Sequence, residues 1–303
     1  MYLARAITVK GLIQFGWRQC VLFAAISSTV CFIFLEAGFT HIAIPIQILS
    51  ILGTAVAIVL GFRNNSAYGR WWEARKIWGG LVNQSRTWAA QVTTCIAPDD
   101  GEHDEAAAFE KELVYRHIAY LNALRIQLRD QQDWDEVAAF LPEDEAKLLA
   151  TWRNQATQIN ARNAARLRDA LDRGWLDSYR HVALLDTVEQ FYELQGKCER
   201  IKRTPLPRQY SFFTALFVWI FIVLLPMGFV ETLHWWTVPI SVLIGWIFIA
   251  LEQVGRYTED PFDNFVHDVP MTALCRTIEI DLRQMLGETE LPPPIEPVRN
   301  ILM

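Results

Sequence analysis

The sequence has no glycine-rich phosphate loop, no GxSxG elbow and no HExxH helix, the short motifs that announce nucleotide, acyl-transfer or zinc-hydrolase chemistry. The histidines stand apart from one another. Cys20, Cys31, Cys95, Cys198 and Cys275 form no CxxC pair, which removes the usual zinc and thiol-redox signatures. All of them read as small core residues. A basic excess is also missing, with a formal net charge of −6, and a nucleic-acid partner would call for a basic face. No small-residue cleavage site follows the first apolar run, so a removable signal is not expected. These absences argue against an enzyme, and no cofactor is expected.

What the chain has is apolar length. Hydrophobic residues make up 52% of its 303 positions and gather in two blocks with a charged middle between them. A bilayer core needs about 20 mostly apolar helical residues, and four runs qualify. They extend from Cys20 to Phe39, Ile42 to Phe62, Phe212 to Val230 and Trp235 to Leu251. The first carries Glu36 near its end, and the second contains no ionisable side chain. Basic residues flank the runs on one side only. Arg5, Lys10 and Arg18 precede the first, Arg63, Arg70, Arg75 and Lys76 follow the second, and Arg200, Lys202, Arg203 and Arg208 precede the third. Arg256 follows the fourth, and the two short turns hold no Lys or Arg. The positive-inside rule therefore predicts cytosolic termini and a cytosolic middle, with the turns outside. Trp235 and Trp236 fall where an interfacial aromatic belt would lie.

The expected organisation is all-α. A cytosolic N-terminal segment covers 1–19, spans one and two 20–62, a helical region 63–208, spans three and four 209–252, and a C-terminal segment with a flexible proline-rich tail 253–303. Helical spacing is plain in Leu113, His117, Tyr120, Leu121 and Leu124, and again in Val182, Leu185, Val188, Phe191 and Leu194. His117 reads as a packed or surface residue. Pro142 opens a helix with Glu143, Asp144 and Glu145 in its first turn, where the dipole favours acids. Pro205 and Pro207 predict an elbow before span three. Asp99 to Asp104 reads as an acidic loop. The acidic clusters at 99–112 and 130–145 read as solvated faces, with a cation-enriching vestibule as the alternative.

Span two is the informative element. Gly53, Ala57 and Gly61 form a small-residue stripe that permits close helix contact. Thr54, Ile58 and Phe62 form a parallel stripe about 100° away. If several copies ring an axis, the second stripe lines a narrow hydrophobic pore of the kind that gates by dewetting. The alternative is that Ile58 and Phe62 face lipid or a neighbouring helix. The spans lack the ionisable residues that pumps keep at membrane depth; Glu252 sits only at the inner end of span four.

Span two closes on Gly61-Phe62, and Arg70-Trp71-Trp72 follows shortly after, inside Gly61-Phe62-Arg63-Asn64-Asn65-Ser66-Ala67-Tyr68-Gly69-Arg70-Trp71-Trp72-Glu73-Ala74. With four spans, a long helical insertion and an Asp260-Pro261-Phe262 segment after span four, the chain resembles prokaryotic members of the bestrophin family over nearly its whole length. The resemblance implies a homopentamer around one axial pore, in the plasma membrane (the inner membrane of a Gram-negative cell), passing small monovalent ions passively. The family is known for chloride and other anion channels, and prokaryotic members resembling this chain pass cations such as sodium. Matching through the landmarks puts the neck at Thr54, Ile58 and Phe62 and a cytosolic constriction near Tyr179. Animal members hold calcium in the acidic segment. Asp260 and Asp268 match that motif, but Phe265 stands where a carboxylate is expected, so a calcium-independent channel is expected. The competing readings are a secondary carrier, which needs broken helices or inverted repeats and finds interruptions only at Pro45 and near Pro226, and a non-conducting membrane scaffold or sensor.

Overall fold

The computed structural model describes residues 1, 16–99 and 101–302. Arg5 and Lys10 of the expected basic flank, and Asp100 of the acidic loop, lie outside them. The regular structure of the described residues is helical. They contain no strand, and their only β-type pairing is the bridge between Val298 and Ile301. In chain order the helices are α1 (Trp17–Leu35), α2 (Ile46–Cys95), α3 (His103–Leu128), α4 (Asp135–Ala138), α5 (Glu143–Leu148), α6 (Gln155–Asp172), α7 (Ser178–Arg203), α8 (Arg208–Leu233), α9 (Thr237–Glu259) and α10 (Met271–Met285).

Two units can be distinguished. The apolar unit comprises 4–71 and 205–260, and the second comprises 1–3, 72–204 and 261–303. Trp17–Leu35, Thr40–Cys95, which continues past the apolar unit, and Arg208–Glu259 are long and apolar enough to cross a membrane. The last stretch is a hairpin. A 3-10 turn at His234–Trp236 joins α8 to α9, and Phe221 of α8 meets Phe248 of α9 with ring centroids 4.8 Å apart.

The helix ends differ from the apolar runs for local reasons. Helix α1 stops at Leu35 because Gly38 takes a left-handed φ of 72°, a conformation open to glycine. Helix α2 starts after Pro45, whose carbonyl accepts from Ile48 N at 3.0 Å. It then runs 50 residues without a break, about 75 Å at 1.5 Å per residue and more than twice the bilayer core. Pro226 does not interrupt α8, which continues through it to Leu233. The core of the unit is Phe23 with Val56, Leu60, Val218, Phe221, Ile222, Leu225 and Ile249. Close approach depends on glycine at Gly228, where a Cβ would collide with Leu49, and at Gly245, where it would come within 2.9 Å of Phe23.

The second unit packs α3, α6, α7 and α10 with the later part of α2 around Trp78, Trp88, Tyr120, Trp175 and Phe191. His117 is fully buried in this core. Its Nε2 lies 2.8 Å from Ser85 Oγ and its ring centroid 4.3 Å from that of Phe191. Burial lowers its pKa to about 3, so the imidazole is neutral and structural. Most acids of the two clusters are exposed, as expected, and several of them are also paired. Glu112 and Glu145 hold the buried Arg116 at 2.6 and 2.8 Å, Glu102 accepts from Trp175 Nε1 at 2.6 Å, and Glu136 pairs with Arg125. The tail from Gly287 is held at Glu288, which bonds Lys111, Tyr115 and Arg283; hydrogen bonds from those side chains overcome burial and lower its carboxyl to about 2.

Candidate functional site

The first part of α2 has two unlike faces. Leu49, Val56, Leu60, Arg63 and Ala67 are buried against the rest of the apolar unit. Advancing 100° per residue puts Ile51, Thr54, Ile58 and Phe62 roughly opposite that face. Ile51 is 73% exposed, Ile58 54% and Phe62 64%; Thr54 is exposed as well. A row of large apolar side chains therefore has no partner among the described residues. The threonine does not make the row polar. Thr54 Oγ1 donates to Ser50 O at 2.8 Å and Ser50 Oγ to Ile46 O at 2.9 Å. With its hydroxyl turned back onto the helix, Thr54 offers chiefly its methyl. The small-residue stripe divides: Gly53 meets Phe221, where a Cβ would come within 2.9 Å, while Gly61 has open space around its Cα and Ala57 is exposed.

Directly beyond Phe62 the helix is clamped. Arg63 is 1% exposed. Its Nη1 donates to Glu252 Oε1 at 3.1 Å and to Glu252 O at 3.3 Å, and its Nη2 to Glu259 Oε2 at 3.3 Å. Arg256 also holds Glu252, at 3.0 Å, and Ser211 Oγ donates to Glu259 Oε2 at 3.1 Å. Arg70 Nε donates to Glu259 O at 3.0 Å, and Arg70 pairs with Asp260 at 3.7 Å. Asn64 Nδ2 reaches Leu251 O at 2.9 Å, and Gly255 leaves the room for Asn64, since a Cβ there would collide with its Oδ1. Sequence reasoning placed Arg63 among basic flanks and Glu252 at a span end without pairing them. The available signal was an arginine and a carboxylate each abutting an apolar run, since burial there requires an opposite charge.

The remaining expected residues are placed as follows. Tyr179 lies in the first turn of α7, 90% exposed, and that turn is capped by Asp177 Oδ1, which accepts from Tyr179 N and Arg180 N at 2.9 Å each. Trp71 stacks on Tyr68 with centroids 6.1 Å apart, and Trp72 is exposed. Asp260 lies in the apolar unit and Asp268 in the second. Asp268 is buried; its Oδ2 accepts from Phe265 N at 2.9 Å and its Oδ1 has no partner among the described residues. Burial raises this carboxyl from 3.8 to about 6.

The family profile described as Bacterial/Fungal Bestrophin protein matches residues 5–284. The chain belongs to the bestrophin family. Its match covers the exposed α2 face, the clamp and the Tyr179 turn. A relative in Escherichia coli (strain K12), Voltage-dependent anion channel-forming protein YneE, is 35% identical over 296 residues, 94% of each chain. A Mesorhizobium japonicum relative, Voltage-dependent anion channel-forming protein mll4386, is 34% identical over 250 residues, 82% of this chain and 77% of its own. A crystal structure of a bacterial Bestrophin homolog from Klebsiella pneumoniae superposes with a TM-score of 0.83 at 27% identity, covering 89% of this chain and 98% of that one. The bestrophin calcium clasp does not fit the residues present. Calcium takes six to eight oxygens, whereas Asp268 spends one oxygen on a backbone amide and Phe265 has no side-chain oxygen to offer. Among the described residues no group of three or more His, Cys, Asp and Glu could hold a metal.

Proposed function

We propose that this chain is the subunit of a pentameric channel that passes small monovalent ions passively, with the α2 face of Thr54, Ile58 and Phe62 as the neck of an axial pore. The observation that carries the reading is that face itself. A helix with no ionisable side chain from Ile46 to Phe62 buries one side and leaves large apolar residues opposite without a partner among the described residues. Five copies around an axis would give each face four others to meet, and would use the open flank at Ala57 and Gly61 for contact between neighbours. The hairpin of α8 and α9 supports four passes, and the basic flanks favour termini in the cytosol and residence in the plasma membrane, the inner one in a Gram-negative cell. Tyr179 is the proposed second constriction.

The unbroken course of α8 through Pro226 disfavours a carrier built on discontinuous helices. The relatives named above are called anion channel-forming, which favours anions. The absence of Lys and Arg from the neck leaves dewetting, not a ring of charge, as the barrier. Accessibility tests the reading. With the native cysteines replaced, Ile58→Cys and Phe62→Cys proteins in liposomes should lose ion flux when a charged, water-soluble thiol reagent is added. Flux that continues unchanged while both cysteines are modified would place these residues outside the pore.

A further inference from the structure

The end of α7 and the start of α6 flank an open cleft of about 580 Å³ lined by Thr151, Trp152, Arg153, Asn154, Gln158 and Arg203, within the size range of small-ligand sites. Its charge is unbalanced. Arg166, Arg168, Arg180 and Arg200, on the same two helices, each hold a carboxylate. Arg153 and Arg203 hold none among the described residues. Arg162, whose guanidinium lies 5.9 Å from the centroid of the Trp152 ring, likewise has no acidic partner there. The carboxylate bonded to Asn154 is Glu199, and it is occupied: Asn154 Nδ2 donates to it at 2.9 Å and Gln195 Nε2 at 2.8 Å. Asn154 is itself fixed, since its Oδ1 caps α6 by accepting from Thr157 N at 3.0 Å. The wall is therefore held in place while the guanidinium groups are free to bind.

We propose that this cleft binds a phosphate-bearing anion through Arg153 and Arg203. Guanidinium is planar and matches phosphate oxygens two at a time, and Trp152 supplies an apolar wall beside them. Two sources share this chemistry: a soluble organic phosphate and an anionic lipid headgroup. The second is included because Arg203 closes α7 and the apolar helix α8 starts only five positions later in sequence, at Arg208. The proposal does not depend on whether the protein conducts ions.

The test uses the full chain in two arms. In detergent, inorganic pyrophosphate is titrated by calorimetry into wild type and R153Q/R203Q. In nanodiscs of phosphatidylcholine with added phosphatidylglycerol, lipid retained by each protein is counted by native mass spectrometry. A soluble ligand predicts pyrophosphate binding weakened about tenfold or more in the variant. A headgroup predicts phosphatidylglycerol retained by wild type and lost by the variant. R153K/R203K, which keeps the charge without the fork, should fall between. Circular dichroism and elution volume check folding, and the two single substitutions replace the double one if it fails. Neither probe binding, or both binding the variant as they bind wild type, would overturn the proposal.

Discussion

Arg63 follows the last side chain of the exposed apolar face by one position and is buried between two carboxylates. Removing Arg63 takes the buried counter-charge from both, leaving Glu252 to Arg256 and Glu259 to the Ser211 hydroxyl, at a cost of about 3–5 kcal/mol. Arg63→Ala should therefore lower the thermal unfolding temperature of the detergent-solubilised protein sharply, while Lys147→Ala, on an exposed pair with Glu143, should leave it in place. The glycines separate in the same way. Gly228→Val must displace Leu49 and is expected to cost about 1–3 kcal/mol. Gly61→Ala meets nothing among the described residues and should be neutral or slightly stabilising within the protomer, so any loss it causes would be read in assembly, by elution volume. Asp268 carries a pH dependence. Its carboxyl rises from 3.8 to about 6 by burial, so the stabilisation of its neutral form is fully present below pH 3.8 and is lost as pH rises through 6. Above that, burying the charge costs up to about 3 kcal/mol. Asp268→Asn should raise the unfolding temperature at pH 8 and change it little at pH 4.

Helix α2 is one element with two kinds of neighbour, and its length follows from what the sequence omits. No proline occurs between Ile46 and Cys95, and Pro98 follows its end. The apolar run was legible because crossing a bilayer demands about 20 apolar residues. The same run overstated α1 by its last turn, because hydrophobicity is blind to the left-handed Gly38. The Arg63 clamp was not legible as a pair, since its partner Glu252 lies 189 residues away and no local spacing links them. The acidic clusters are mostly exposed, as expected, and depart from that at Glu145. Glu112 is linked to Arg116 by i,i+4 spacing within α3, whereas Glu145 reaches Arg116 only once α3 and α5 pack. Helix α7 offers its own test. The Asp177 cap fixes the turn that carries Tyr179, and Asp177→Ala should cost about 1 kcal/mol and speed amide exchange at Tyr179 and Arg180, with the rest of α7 unaffected.

For the whole molecule, the all-helical build and the family were readable from composition, apolar runs and the Gly61-Phe62 and Arg70-Trp71-Trp72 landmarks, and the fold agrees with both. The division into an apolar unit and a second unit was only partly readable, because α2 passes from one to the other without a signal at Trp71. Which residues meet across copies is not encoded in any spacing within one chain. The central claim is that the unpartnered face of α2 meets its own copies around a pore. Single-channel recording in planar bilayers under asymmetric NaCl, comparing wild type with Ile58→Ala, tests it most directly. A larger unitary conductance in the variant, with a reversal potential that gives the sign of the permeant ion, is the predicted result. Identical conductance in both proteins, or silence from both in preparations shown to be intact pentamers, would contradict it.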